Sequence, residues 1–427
     1  MKILALSNLY PPDVLGGYEL GCAQAVEALR GRGHDVLVLA GVPRVPVVLA
    51  DPPHVLRRLR LTDEWGSDAA ERHPAVVPDL EVSSRLIDAF NVHVLLEALG
   101  SFRPDVVFLS NLVGVGGLGL VGSLVHLGVP WVWHLGDYVL NDLCGNRHGV
   151  VPGLAAEWSR QVRGHYVAVS RRVVDGIQAQ GIALNGVVEV VPYWISGERP
   201  EPAGPGEPGA PLRVVCAGRL DRQKGTDRLI EAVGLLRDRG LDDFTLDFYG
   251  RAVDRSFDAQ VKHLGLERQV RLHGPRPHAE LLSLYSTYDV LVFPTRPQEP
   301  FGLVALEAAS RGCVPLVARD CGVAEWLVHG VDCLKCDPSA PAIAEALAPW
   351  VQDRRGLAPV ARRAQEVAWR EFHLDALLPR FESALARAQA DAPAPSSLDP
   401  HALAEAYRLA RMAELLAHRI TREGLAA

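Results

Sequence analysis

Residues 212–249 read LRVVCAGRLDRQKGTDRLIEAVGLLRDRGLDDFTLDFY. The run opens on Leu212 to Ala217, short, apolar and β-branched, which predicts a buried strand. A polar loop punctuated by Gly218 and Gly225 follows, and from Asp227 to Arg239 the apolar residues recur with helical period. Phe244 to Tyr249 then returns to strand character. Strand, helix, strand is the repeating unit of a parallel sheet, because parallel neighbours need a long crossover to bring the chain back to the same end.

The alternation extends in both directions. Downstream it predicts strands at Val270 to His273, Val290 to Phe293 and Val314 to Ala318, a helix at Ala279 to Ser286 and another opening after Gly302. Upstream it predicts strand Lys2 to Ser7, a helix from about Tyr18 to Gly31, strand Asp35 to Ala40, and later strands at Val106, Trp131, Tyr166 and Val187. Residues 42–80, rich in Pro and Arg, read as an insertion. Between the halves, Ser196 to Pro211 (SGERPEPAGPGEPGAP) has the composition of a linker. The expected fold class is therefore α/β with two doubly wound domains: 1–195, the linker 196–211, and 212–350, followed by helices over 351–390 that cross back to the first domain. Residues 391–427 read as a second linker and a terminal amphipathic helix, Pro400 to Glu423. Its Arg408, Arg411, Arg419 and Arg422 would form a solvated face.

A chain of 427 residues, 48% hydrophobic and 22% charged, is long enough for two domains with a core each. A formal charge of −7 speaks against nucleic acid as a partner, since phosphate-backbone affinity needs a basic surplus. Seven scattered cysteines do not form a disulfide framework, and a reduced, cytoplasmic setting is expected. Cys333-Leu-Lys-Cys336 lacks a second pair and reads as a strand edge rather than a metal or redox site. Val106 to Gly136 carries no acid, Lys or Arg and has the length of a membrane span, but its glycines, Asn111 and Pro130 break it into strand, helix and strand. Arg57, Arg58 and Arg60 would allow a peripheral contact at the inner membrane without requiring one.

In open α/β sheets ligands sit beyond the carboxyl ends of the strands, so the loops that follow strands carry the chemistry. After the first strand comes NLYPPDVLGGYE, where Gly16 and Gly17 precede a helix; paired glycines there either admit an anion to backbone amides or simply turn the chain. After Ala217, Arg219 and Lys224 leave the sheet edge together, which suits a diphosphate or a pair of solvated charges. The third loop, residues 294–312, reads PTRPQEPFGLVALEAASRG. Phe301, Gly302 and Leu303 would offer free amides at a helix start, and Glu307 falls inside the helix's apolar arc. An acid there needs a partner, either a protein group or a ligand that brings hydroxyl donors, such as a ribose. Glu299 precedes the helix and would reach hydroxyls of whatever hangs from the diphosphate. A sugar nucleotide satisfies all of these groups at once.

The ordered set of GGYE, HYVAVSRRVVDGI, GRLDRQKG, VRLHGPRPHAELLSLYSTYDVLVFPT, PxxxEPFGLxxLEAxxxG and CGVAEWLVHG resembles the GT-B-fold retaining glycosyltransferases of family 4 over nearly the whole chain. The resemblance implies two Rossmann-like domains facing across a cleft, the first holding a hydroxyl acceptor and the second a nucleoside-diphosphate sugar. It assigns Arg219 and Lys224 to the donor diphosphate, Glu307 to the ribose and Glu299 to the donor sugar near the reaction centre. It further implies same-face attack with retention, no metal and no cofactor beyond the co-substrate; no acidic metal-ligand cluster is visible in the sequence. Gly16 and Asp137 are expected on the acceptor side and Gly17 near the donor.

One position departs from the family pattern. Where a His commonly follows the strand in a form like TLHD, this chain reads VPWVWHLGDY, which places Gly136 at that site and His134 two residues earlier on the same strand face. His134 is expected to substitute as a catalytic group, against the reading of a packed strand residue. The mismatch also supports a rival expectation, a sugar-nucleotide-binding or scaffold protein without turnover.

Overall fold

The computed structural model describes residues 1–43, 51–62, 82–144, 154–201, 210–253, 256–297, 299–392, 399–401 and 403–405. The chain divides into two compact units, one of Met1–Ala168, Val174–Val190 and Leu378–Ala427, the other of Val169–Val173 and Val191–Leu377.

The first unit is built on strands β1 (Lys2–Ser7), β2 (Asp35–Gly41), β3 (Val55–Leu59), β4 (Val106–Leu109), β5 (Trp131–Leu135), β6 (Gly164–Ala168) and β7 (Gly186–Val190). They form one sheet in the order β3-β2-β1-β4-β5-β6-β7, every pair parallel. Its central strands read as continuous apolar runs because helices cover both faces: Ile3 to Leu6 and Val106 to Leu109 are wholly buried. Helix Gly17–Gly31 follows β1, and helix Ala89–Phe102 starts at Asp88, whose carboxylate accepts from the amides of Phe90 and Asn91.

One expectation needs correction here. Part of the stretch read as an insertion, Val55–Leu59, is the edge strand β3, paired with β2. Its arginines hid it, since an edge strand leaves outward positions to charge. They are also spoken for: Arg57 donates to Asp51 and to the carbonyls of Tyr10 and Pro11, Arg58 pairs with Glu97, and Arg60 pairs with Asp88. The apolar run from Val106 resolves into β4, helix Gly117–Leu127 and β5, and among the described residues no helix is long and apolar enough to cross a membrane.

The second unit holds β8 (Leu212–Ala217), β9 (Phe244–Tyr249), β10 (Val270–Leu272), β11 (Val290–Phe293), β12 (Val314–Ala318) and β13 (Leu334–Cys336). Their order is β10-β9-β8-β11-β12-β13, again all parallel. Helix Thr226–Asp238 presses Leu229, Ile230 and Val233 onto Leu212, Val214 and Phe248, and helix Ala340–Gln352 adds Ile343 and Leu347 to the same core. Each such buried side chain contributes about 1.5 to 3 kcal/mol. Cys333 and Cys336 lie at the edge strand β13, buried and free, and burial pushes both thiols up to about 12, which suits packing rather than redox work. Most of the linker, 202–209, and most of the expected terminal helix, 406–423, lie outside the described residues.

The chain order reverses between β8 and β11. From β8 it steps outward through β9 to β10, whereas β11 lies on the other side and leads to β12 and β13. The loops leaving β8 and β11 therefore diverge around one crevice at the carboxyl end of the sheet, where this class of sheet binds ligands.

Candidate functional site

The loop after β8 is held against the loop after β11 by backbone contact. Gly225, at φ +77°, caps helix Thr226–Asp238, and a Cβ there would meet the carbonyl oxygen of Pro294 at 2.1 Å. The Arg296 amide donates to the Gln223 carbonyl at 2.9 Å, and the Arg296 guanidinium reaches Asp227 at 3.1 Å. These ties bring Lys224 Nζ to 2.5 Å from Glu299 Oε2 and set the ammonium over the Phe293 ring, 5.6 Å from its centroid. Thr295 Oγ1, buried, donates to the same carboxylate oxygen at 3.2 Å.

Asp221 organises the other side of the loop. Its Oδ1 accepts the Lys224 amide at 2.7 Å, and its Oδ2 accepts from Arg219 Nε. Burial raises the affinity of this carboxyl for a proton, but the bonds from Arg219 and the Lys224 amide outweigh it and hold the group below the usual carboxylate range.

Glu299 lies just before helix Leu303–Ser310, whose N-cap is Gly302 at φ +105°. That conformation favours glycine, and a Cβ would also strike the Phe293 ring at 2.7 Å. The segment 321–323 supports the turn from behind: the Gly322 amide donates to the Glu299 carbonyl and the Val323 amide to the Phe301 carbonyl, at 3.2 and 2.7 Å. Among the described residues nothing accepts from the amides of Phe301, Gly302 and Leu303, which leaves them for an anion.

Glu307 is buried, with 7% of its surface exposed, and its Oε1 accepts from His278 Nε2 at 2.7 Å. Of the two readings of this acid, a protein partner is thus present, and it is a histidine on helix His278–Tyr285. That bond with Glu307 raises the His278 pKa above its ordinary value, against the opposing effect of partial burial. The sequence carried no spacing signal for His278; what could have pointed to it is only that a buried carboxylate needs a donor.

The candidates in the first unit fall differently. Tyr18, the second residue of helix Gly17–Gly31, donates its hydroxyl to the His134 carbonyl at 2.5 Å and accepts from the Gly136 amide at 3.1 Å, which fastens the GGYE turn to the end of β5. The Gly16 amide is not left for a ligand, because the Glu19 carboxylate accepts from it at 2.9 Å. Gly17 opens the helix, and Asp137, half-buried, follows β5. The catalytic expectation for His134 is corrected: its ring is 1% exposed and surrounded by Tyr18, Phe108 and Phe381, with centroids 5.9 to 6.4 Å away. Burial lowers its pKa to about 4, so it is a neutral core ring. Its alternation with Trp133 on a strand buried on both faces gave no sequence sign of this.

Of the donor-side candidates, Arg219, Lys224, Glu299, Phe301, Gly302, Leu303 and Glu307 belong to the second unit and to two loops and one helix at one sheet end, whereas Gly17 belongs to the first unit. Among the described residues no three His, Cys, Asp or Glu side chains are grouped as a metal ion would require.

Residues 198–367 match the family model described as glycosyl transferases group 1. The chain is 28% identical over 403 residues to the glycogen synthase of Mycobacterium tuberculosis (strain ATCC 25618 / H37Rv), covering 87% of this chain and 91% of that protein. It is 34% identical over 157 residues to the D-inositol 3-phosphate glycosyltransferase of Corynebacterium glutamicum (strain R), 34% of this chain and 37% of the relative. Among solved structures, sucrose-phosphate synthase from Thermosynechococcus elongatus superposes with a TM-score of 0.71 at 18% identity, over 91% of this chain and 99% of that one. Anabaena HepE in complex with UDP-glucose gives 0.64 at 18% identity, over 91% and 100%. Two parallel-sheet units and these likenesses make the fold GT-B.

Proposed function

We propose, for a chain whose residues 198–367 match the group 1 glycosyl transferases, that it moves a sugar from a nucleoside-diphosphate sugar to a hydroxyl acceptor with retention of configuration and without a metal. The observation that carries this reading is the contact of Lys224 with Glu299 beside the unspent amides of residues 301–303. A cation, a carboxylate and a helix N-terminus thus meet at the carboxyl end of the sheet where the strand order reverses. The UDP-glucose complex of the Anabaena structure supports a sugar nucleotide as the donor class.

In the reaction the bond between the anomeric carbon and the diphosphate oxygen breaks while the acceptor oxygen bonds to that carbon from the same face. Negative charge grows on the departing diphosphate, and Arg219, Lys224 and the helix amides stabilise it more than they stabilise the donor's ground state. The proton released by the acceptor hydroxyl passes to the departing phosphate oxygen. Glu299 holds hydroxyls of the donor sugar, and Glu307 holds the ribose.

The test is transfer from a panel of UDP-, GDP- and ADP-sugars in the presence of EDTA, with the anomeric configuration of the product read by NMR. An inverted product, or activity abolished by EDTA and restored by a divalent ion, would overturn the corresponding part. Binding without hydrolysis or transfer over a broad acceptor panel would instead favour a binding protein that has lost turnover.

A pH dependence follows from the Glu307–His278 pair. His278 has a raised pKa, so the contribution of the charged pair is fully present below the unfolded-state value near 6.5 and fades as pH rises through the higher folded-state value. A ribose competes with His278 for the same carboxylate. UDP-glucose, whose diphosphate has no titrating oxygen in this range, should therefore bind more tightly at pH 8 than at pH 6 by calorimetry. His278→Ala should flatten that profile, and Glu307→Ala should weaken binding at both pH values. An unchanged affinity in Glu307→Ala would show the ribose assignment to be wrong.

A further inference from the structure

We propose that Asp221 is the resident counter-ion of the donor site, a positioning residue that holds Arg219 and the Lys224 loop and gives up Arg219 when a diphosphate arrives. The inference rests on the donor-site reading above and adds a residue which that reading does not use.

Three features carry it. First, the two oxygens of Asp221 have separate tasks, since Oδ1 fixes the Lys224 amide at 2.7 Å and Oδ2 faces Arg219 Nε. The Asp221 carbonyl also accepts the Thr226 amide at 3.2 Å, which closes the turn around it. Second, the partners differ in freedom: the Asp221 side chain is 17% exposed and Arg219 58%. The carboxylate is the fixed member and the guanidinium the one that can swing to a ligand. Third, the four groups form two opposite-charge pairs, Arg219 with Asp221 and Lys224 with Glu299. A diphosphate must therefore take the cations from carboxylates already in place, and these carboxylates stand ready to reclaim them.

This arrangement bears differently on donor and product. The nucleoside diphosphate left after transfer has one more ionisable oxygen than the sugar diester, so it is held more strongly by bare cations. A fixed negative charge beside Arg219 disfavours the product more than the donor and promotes its release.

Asp221→Asn separates the two tasks, because the amide oxygen still accepts from Lys224 while the charge on Arg219's partner is gone. UDP, GDP and ADP should be titrated into wild type and variant alongside the corresponding sugar nucleotides. For the nucleotide that binds, Asp221→Asn should tighten the free diphosphate roughly threefold to fivefold at low salt, the upper end of the range for an exposed ion pair. The sugar nucleotide should gain less, the product inhibition constant should fall in parallel, and the gain should shrink as salt is raised. Asp221→Ala, which also removes the anchor for the Lys224 amide, should instead weaken both ligands. If Asn and Ala weaken binding alike, Asp221 only builds the loop and the counter-ion inference is overturned. If wild type binds none of the three diphosphates, the donor-site reading itself falls, a result distinct from the first.

Discussion

Lys224→Ala is expected to lower transfer by roughly two to three orders of magnitude, the size of effect for removing one preorganised charge stabiliser from a transition state. Two losses combine in that number. The ammonium that would meet the growing negative charge is gone, and Glu299, left without the cation 2.5 Å away, presents an uncompensated carboxylate beside the incoming diphosphate. Donor affinity should therefore fall along with kcat. The fold should suffer little, by about 1 to 2 kcal/mol, because the Lys224 side chain retains partial contact with water. The double variant Lys224→Ala with Glu299→Ala discriminates these contributions: donor affinity should partly recover and turnover should not. Near-normal kcat in Lys224→Ala, measured with donor in excess, would remove Lys224 from the reaction.

Gly225→Ala is the second large effect, and here a single methyl group is expected to disable the site from the backbone. At φ +77° the left-handed conformation costs an alanine about 1 to 2 kcal/mol. The new Cβ would in addition need the space held by the Pro294 carbonyl oxygen, 2.1 Å away, so the loops after β8 and β11 must part. Lys224 is the adjacent residue, and a displacement of about 1 Å at a positioned group can cost on the order of a hundredfold in rate. Gly240→Ala is the matched control. Gly240 has nearly the same backbone, φ +74°, but open space around its Cβ position. It should lose only the conformational term, with kcat unchanged and a modest drop in Tm. Equal effects of the two substitutions on kcat would mean that the contact between the loops does not position the lysine.

Much of this second unit could be read from residues alone. The strands Leu212–Ala217, Phe244–Tyr249, Val290–Phe293 and Val314–Ala318 stand where their apolar runs predict, because a strand covered on both faces is mostly apolar and so announces its own limits. The edge strand Val55–Leu59 escaped for the opposite reason: its Arg57 and Arg58 belong to ion pairs, with Asp51 and Glu97, that its own sequence does not announce. The site followed the same division. Arg219, Lys224, Glu299 and Glu307 are conspicuous as charges in loops or in an apolar helix face, whereas their partners are ordinary polar residues until the fold brings them near. Asp221 sits inside the motif yet looks like any turn former, and His278 precedes Glu307 by 29 positions with no periodicity to join them. The misreading of His134 has another origin. Strand alternation told which side its ring would take, but not that this side is filled by Phe108 and by Phe381 from a helix near the chain's end.

The reversal of strand order in the second unit has a bearing on inactivation. The arms that carry Lys224 and Glu299 grow from β8 and β11, which are neighbours in the middle of the sheet and far from either fraying edge. Local opening of β10 or β13 leaves them paired, and separating them means breaking the centre of the hydrophobic core, an event whose free energy approaches that of unfolding the whole unit. Heat or denaturant should thus silence the lysine–glutamate contact only when the unit itself comes apart. The His278 helix, which follows the peripheral strand β10, can let go of Glu307 well before then.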